Sequence, residues 1–428
     1  MGTWHADIVY AGRILEMERT GHPMRLRVLL EDRLAELGAP ATAVAGLAPG
    51  DLIEFTVLGE GHGEGAPRMD RVTRLGGPLP GRPWSDGDAL RWRRPGRGPA
   101  RLALLRLRQE VLRALRSYFD TQDFLEVETP CWVLAPSPEP QFCPIRAGEG
   151  FLITSPEFQL KRLLVGGAER LVRIGPAFRG GERGHLHNPE FTLLEWYRAH
   201  AEADALAADL QRLLISLVPL AEDFARRYPP ERQPAPARLQ AAWVRQSLPQ
   251  VSVAELFRRH LKMDTRRVTR VPELHHAARA AQWPHAHELA GDFDGAFSRL
   301  WIDVEAHFPH EPFLVVDWPA PLASLARLKP GDPTVAERVE LYAGGIEIAN
   351  GFVELTDALE QRARLEAHLA QRQALGRAPL PLDEAFLHAL EDGMPPSAGM
   401  ALGVDRLVML VAGVSDVRDV LPFAADEL

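Results

Sequence analysis

The chain has 428 residues, of which 46% are hydrophobic and 25% charged, and its formal net charge is −9. That length can bury a large core and predicts two domains, while the negative balance disfavours a broad electrostatic surface for nucleic acid. No apolar run approaches the roughly 20 residues of a membrane span, the start lacks a secretory pattern, and Cys131 and Cys143 are too few for a disulfide framework, so a cytoplasmic location is expected.

Residues 1–76 predict a small all-β, OB-like domain. Asp7–Glu18, Met24–Asp32, Asp51–Glu60 and Arg68–Leu75 are strand-like, with Met24, Leu26 and Val28 alternating with Arg25 and Arg27. Residues 1–85 hold nine arginines and eleven carboxylates, a balance of −2 that is a poor footprint for single-stranded RNA. A Pro/Gly-rich linker follows over 77–100. Arg101–Phe119 then predicts an amphipathic helix with Leu104, Leu107, Val111, Leu115 and Tyr118 on one stripe, and Asp123–Val133 is extended. Helices and loops are expected over Ala199–Pro309, strands at Phe313–Asp317 and Arg338–Leu355, and a helix at Asp357–Leu375.

The densest signal is the run from Phe178 to Tyr197, which reads FRGGERGHLHNPEFTLLEWY. It sets Arg179 just after an apolar strand, crosses a Gly- and His-rich loop and returns through Asn-Pro-Glu-Phe into a second strand. An arginine so placed can grip a phosphate with its rigid fork, and the carboxylates behind it can hold an amine. Further on, Gly344-Gly345 predicts a two-residue hairpin turn. It sets Glu340 opposite Ala349 and Tyr342 opposite Glu347, with Glu340 and Glu347 as diagonal neighbours roughly 7–8 Å apart. Two readings stand at this point: a Mg²⁺ carrying nucleotide phosphates between them, or two solvated glutamates on an exposed face. Alternation puts Asn350, Phe352 and Glu354 on the face opposite Glu347, and a bulge at Gly351 is needed to bring both sets into one pocket.

In Gly399-Met-Ala-Leu-Gly-Val-Asp-Arg406, small residues stand where backbone approaches something closely, and Arg406 can reach phosphate from the start of an apolar helix; a plain strand-to-helix turn explains the same pattern. His185, His187 and Glu190 lack a third ligand at metal spacing, and His275, His276, His285 and His287 fit a polar surface better than a zinc site. No GxxxxGK[ST] or strand-linked GxGxxG is present.

Five segments occur in the order and spacing of a class II lysyl-type synthetase domain: Phe124–Pro130, Thr154–Phe158, the Arg179 run, Glu347–Glu354 and Gly399–Arg406. The chain from about residue 88 onward resembles that superfamily, and in detail the elongation factor P–(R)-β-lysine ligase family, a lysyl-tRNA-synthetase paralogue that modifies a protein. The resemblance implies an α+β class II catalytic domain over 101–428, an antiparallel sheet flanked by helices, and a homodimer through the first segment. Its substrates would be ATP with Mg²⁺ and (R)-β-lysine or a similar small diamino acid, and the acceptor a lysine of elongation factor P. Lysyl-tRNA synthetases typically carry Gly where this chain has Ala401, and the ligase family carries Ala.

Carried across, Arg179 would hold the α-phosphate and Arg406 the γ-phosphate as catalytic residues, and Glu340 and Glu347 the metal. Gly180, Gly181, Glu182, His187, Asn188, Phe191, Glu347, Ile348 and Gly403 would complete the nucleotide site, with Phe191 stacking on adenine. Ser155, Pro156, Glu157, Tyr197, Asn350, Phe352, Glu354 and Ala401 would form the amino-acid pocket, Glu354 pairing with the terminal ammonium. Two departures stand out. The family has Arg-Asn-Glu where this chain has Arg179-Gly180-Gly181, with Glu182 one place later, and it generally lacks an N-terminal domain. Alternatives are aminoacylation of tRNA, transfer to another protein or small-amine acceptor, and a catalytically silent binding relative.

Overall fold

A computed structural model of the chain describes residues 8–18, 23–30, 34–58, 67–77, 101–228, 237–289 and 291–428. It separates into two units, Met1–Arg106 and Leu107–Leu428. The linker expected at 77–100 lies, beyond Gly77, outside the described residues.

Among the described residues the first unit holds five strands rather than the four expected: β1 (Tyr10–Glu18), β2 (Met24–Leu29), β3 (Leu34–Ala39), β4 (Leu52–Val57) and β5 (Met69–Gly76). The strand missed is β3, whose Leu-Ala-Glu-Leu-Gly-Ala has no β-branched residue and only weak β-propensity. Its pairing with β2 forms it instead, from Met24 opposite Ala39 to Leu29 opposite Leu34. The sheet runs β3-β2-β1-β4-β5, and a parallel bridge between Gly38 and Arg68 joins its ends, giving an OB-like barrel. Ile14, Leu26, Val28, Leu37, Ile53, Phe55 and Met69 fill it. On the outside, Arg27 lies opposite both Glu16 and Glu36 and forms an ion pair with Glu16 at 2.9 Å, while Arg25 faces Glu18.

The second unit is built on an eight-stranded sheet. From one edge its strands are Gln250–Ser252, Phe313–Val316, Arg338–Ala343, Ile346–Val353, Ser397–Gly403, Glu190–Ala199, Arg170–Phe178 and Leu125–Glu126. The central strands are antiparallel and the two outermost pairings parallel. Helix Val404–Ala412 is buried at every position but Arg406, which makes it a core helix, whereas Ala203–Arg227 buries one stripe that includes Leu206, Leu210, Leu213, Leu217 and Phe224. The segment 253–304 forms a helical layer with its own aromatic core of Phe257, Phe297 and Trp301, packed on Phe313, Val315 and Tyr342 of the sheet. The Arg101–Thr121 helix buries the expected stripe.

Gly344 and Gly345 both have positive φ, +66° and +78°, as a tight hairpin turn requires. Tyr342 faces Glu347 as expected, but Ile348 is an extra residue, so Glu340 opposes Asn350 rather than Ala349. The bulge that the sequence needed is therefore present, at Ile348 and not at Gly351. It reverses the parity of the strand beyond it and carries Asn350 onto the same face as Glu347, Tyr342 and Glu340. Gly351 has another role: a Cβ there would stand 2.5 Å from the Gly399 carbonyl oxygen and 2.6 Å from the Met400 side chain.

Gly351→Ala is therefore expected to destabilise the protein by about 1–3 kcal/mol, the usual cost of forcing an extra methyl into a packed core. Urea unfolding of the variant beside the parent measures it, and coincident curves would contradict the close approach.

Candidate active site

The register of the central strands lays out the floor of a cavity of about 330 Å³. Residues directly paired across a sheet share a face. One row runs Arg173, Glu195, Ala401, Asn350, Glu340, and the next Leu171, Tyr197, Gly399, Phe352, Arg338. Along Ser397–Gly403, the alternate residues Gly399, Ala401 and Gly403 line the cavity, and Ala398, Met400 and Leu402 are buried. The small-residue pattern is thus a bare central strip flanked by working side chains. At Gly399 a Cβ would meet the Tyr197 ring at 2.2 Å and Glu354 Oε1 at 2.6 Å.

One end of the cavity is crowded with carboxylates. Glu195 is buried; its Oε1 accepts from Ser155 Oγ at 2.6 Å and its Oε2 from Tyr197 Oη at 3.3 Å. Burial first, and repulsion from Glu157 second, push its pKa up to about 7. The Lys161 ammonium, fully buried, lies 2.5 Å from Glu157 Oε1 and 2.6 Å from Glu354 Oε2. Burial raises both of these carboxyls, and the shared lysine opposes the rise. Glu157 and Lys161 belong to the Glu157–Val165 helix at i,i+4 spacing, which sets them side by side. Glu354, expected to face a ligand's ammonium, instead has Lys161 as its ion-pair partner and does not line the cavity. The carboxylate was legible in the sequence, but the internal cation beside it was not.

The other end carries the arginines. Arg179 lies over the Phe142 ring at 4.0 Å and the Phe191 ring at 5.1 Å, so the guanidinium covers the aromatic face expected to receive a base. Arg406 donates to the Glu347 carbonyl at 2.8 Å, and its Nη2 lies 2.8 Å from His187 Nε2. A donor at that distance needs a neutral imidazole with its proton on Nδ1; burial and the Arg406 charge hold the His187 pKa below its ordinary value. The loop after Arg179 is held from several sides. Gly180 donates to the Cys143 carbonyl at 2.7 Å, and a Cβ there would sit 2.9 Å from that oxygen. The departure at Gly180 is thus imposed by the crossing chain, while Glu182 faces the cavity. Asn188 lines the cavity, yet its Nδ2 donates to the Glu190 carbonyl and its Oδ1 accepts from Ala425 N, so both ends of the amide serve the loop itself.

Of the expected residues, Ser155, Glu157, Arg179, Glu182, His187, Asn188, Phe191, Tyr197, Glu347, Ile348, Asn350, Phe352, Ala401, Gly403 and Arg406 meet at this one cavity, and Pro156, Gly180, Gly181, Glu340 and Glu354 do not line it. Asn350 Oδ1 is buried without a hydrogen-bond partner among the described residues, which suits it to receive a donor from a ligand. Sequence reasoning missed Glu195, Lys161, Arg338 and Phe142. Glu195 was detectable two places before Tyr197, hence on the same face of one strand. Lys161 was visible as a helical neighbour four places after Glu157, but not as the partner of Glu354. Phe142 arrives from a Pro-rich segment with no local signal.

The donor set suits Mg²⁺ in part. Glu347 lines the cavity, whereas Glu340 is buried behind it, gripped by Arg338 Nε and Nη2 at 3.0 and 2.5 Å and accepting from Tyr342 Oη at 3.0 Å. Burial pushes the Glu340 carboxyl up to about 7, against the pull of Arg338. Among the described residues no group of three His, Cys, Asp or Glu side chains is set to hold a metal unaided. One open carboxylate with a second behind it suits an ion that is also bound by phosphate.

A family model described as tRNA synthetases class II (D, K and N) matches residues 90–427. Proteins named elongation factor P–(R)-β-lysine ligase from Salmonella arizonae, Salmonella paratyphi B and Salmonella heidelberg are each 36% identical to the chain over 331 residues, covering 74% of it and 94% of the relative.

Glu195 titrates with a definite sign. The unfolded chain releases this proton near the ordinary 4.5 and the folded one near 7, so the residue subtracts stability as pH rises through that window. Glu195→Gln is expected to match the parent's melting temperature at pH 5 and exceed it at pH 8 in ligand-free protein. Parallel melting profiles would remove the buried charge from the account.

Proposed function

Because the chain belongs to the class II tRNA synthetase family of the D, K and N type, we propose that it is an ATP-dependent ligase that adenylates (R)-β-lysine or a similar diamino acid and passes it to a lysine of elongation factor P. The observation that carries this reading is the charge of the amino-acid end. Glu157, Glu195 and Glu354 stand against the single ammonium of Lys161. Arg173 and Arg179 lower Glu195 from a distance without an ion pair to it among the described residues. Fully ionised, the group of four has a balance of −2, which a ligand with two ammonium groups cancels and a monoamino acid does not. Burying uncompensated charge is costly, so the excess selects the ligand.

Ala401 supports the β-amino acid. It lies on the floor between Glu195 and Asn350, where its methyl group displaces the amino-acid backbone relative to a pocket with glycine. In the proposed reaction a substrate carboxylate oxygen attacks the α-phosphorus of ATP, and the bond to the pyrophosphate oxygen breaks. The acceptor's neutral amine then attacks the acyl carbon, AMP leaves, and the amine's proton passes to solvent. Such steps need alignment and charge neutralisation more than a strong acid or base. Arg179 would steady the α-phosphate and Arg406 the γ-phosphate. Glu347, backed by Glu340, would hold Mg²⁺, which when bound neutralises phosphate charge.

The OB-like barrel favours a second reading, aminoacylation of tRNA. Against it, the barrel's outward arginines Arg25 and Arg27 each lie opposite a glutamate. A charging assay with total tRNA decides between the two. The homodimer is proposed through the region of the first segment, where Leu125 is 59% exposed and, just beyond it, Trp132 is 46% and Leu134 65% exposed. No helix among the described residues is long and apolar enough to cross a membrane, and a cytoplasmic location is proposed.

ATP–pyrophosphate exchange with a panel of amino acids tests the assignment. (R)-β-lysine is expected to give the fastest exchange, and exchange with α-lysine alone would sink the proposal. Ala401→Gly should shift preference towards α-lysine. Glu354→Gln, which takes one negative charge from behind the pocket, should raise KM for diamino acids roughly tenfold; an unchanged profile would remove the charge of Glu354 from recognition. Light scattering is expected to give twice the chain mass, and Trp132→Glu to give the monomer.

A further inference from the structure

The pairing of the Glu190–Ala199 strand with Ser397–Gly403 ends at Leu193 opposite Gly403. The next backbone N–H, that of Thr192, is taken up by a side chain: Asp405 Oδ2 accepts it at 2.9 Å. The other oxygen of Asp405 receives Arg108 Nη1 at 2.5 Å, and Arg108 Nη2 donates to Thr192 Oγ1 at 2.8 Å. Arg108, on the Arg101–Thr121 helix, is 13% exposed at its side chain and Asp405 5%. One guanidinium therefore ties together the two walls of the nucleotide end. Thr192 follows Phe191, and Asp405 precedes Arg406.

There is an electrostatic reason for the tie as well as a mechanical one. Asp405 lines the cavity at the end where Arg179 and Arg406 meet. An unpaired aspartate there would repel a triphosphate, and its burial would leave that repulsion poorly screened. Asp405 cannot simply be replaced by an apolar residue, because the Thr192 N–H would lose its acceptor. The arginine resolves both demands: it cancels the charge and keeps the carboxylate aimed at the end of the ladder.

We propose that Arg108 is a positioning residue for ATP, acting through Asp405 to neutralise and brace the nucleotide cleft. The proposal rests on the assignment of that end of the cavity to nucleotide. Bidentate pairing is what the geometry uses, so lysine keeps the charge and loses half of the brace.

The test is ATP–pyrophosphate exchange on the full chain, with ATP and amino acid varied separately. Arg108→Gln is expected to raise KM for ATP about tenfold and leave KM for the amino acid within twofold. Arg108→Gln combined with Asp405→Asn should return KM for ATP to within about threefold of the parent, because the repelling charge is gone. Arg108→Lys should fall between the parent and Arg108→Gln, and it supplies the comparison if Arg108→Gln does not fold. A loss of kcat with both KM values unchanged, or no recovery in the double variant, would overturn the proposal. An absence of exchange in the parent would instead count against the ligase assignment itself.

Discussion

Three carboxylates and one ammonium, packed where water hardly reaches, set the terms for the rest of the molecule. Glu157, Lys161 and Glu354 form a buried chain of two ion pairs, and Glu195 stands beside them at its raised pKa. A buried acid group without full compensation is unstable as an isolated feature. It persists here because the surrounding sheet fixes it: Glu195 between Arg173 and Ala401 in register, Glu354 against the bare Cα of Gly399, Lys161 on a helix whose Phe158 stacks on Phe386 at 4.3 Å. The fold carries the electrostatic strain, and the proposed substrate relieves it.

The sheet meets this demand through omission as much as through side chains. Its central strip of Gly399, Ala401 and Gly403 offers a floor on which neighbouring strands project their groups from both sides. One inserted residue, Ile348, then turns Asn350 towards the same cavity as Glu347. Without that bulge, alternation would send Glu347 and Asn350 to opposite faces. The arginine end is arranged differently. There, the chain at Cys143 and Ala425 and the helix bearing Arg406 converge on the segment after Arg179, and scattered backbone and side-chain hydrogen bonds hold it in place of a regular ladder.

Much of this was legible in the sequence through the five motif segments and the family resemblance that they carry. Arg179, Glu347, Asn350 and Ala401 could be placed in one site before any coordinates. What escaped was of two kinds. Pairing shifts, such as the one at Ile348, depend on the partner strand, and the local pattern only says that a bulge is needed. Tertiary partners, such as Lys161 for Glu354 or Phe142 for Arg179, are brought together by packing over long separations. The missed strand β3 shows the same limit: its residues prefer no extended state, and pairing with β2 decides the matter.

The outer face of the barrel has a consequence for association. Arg27 spends its charge on Glu16 and faces Glu36, while Arg25 faces Glu18. Cations already matched within the protein condense few anions from solution and, on meeting a polyanion, set few of its counterions free. Any complex formed through this face would draw little of the entropy that drives nucleic-acid binding, and its strength would vary only weakly with salt.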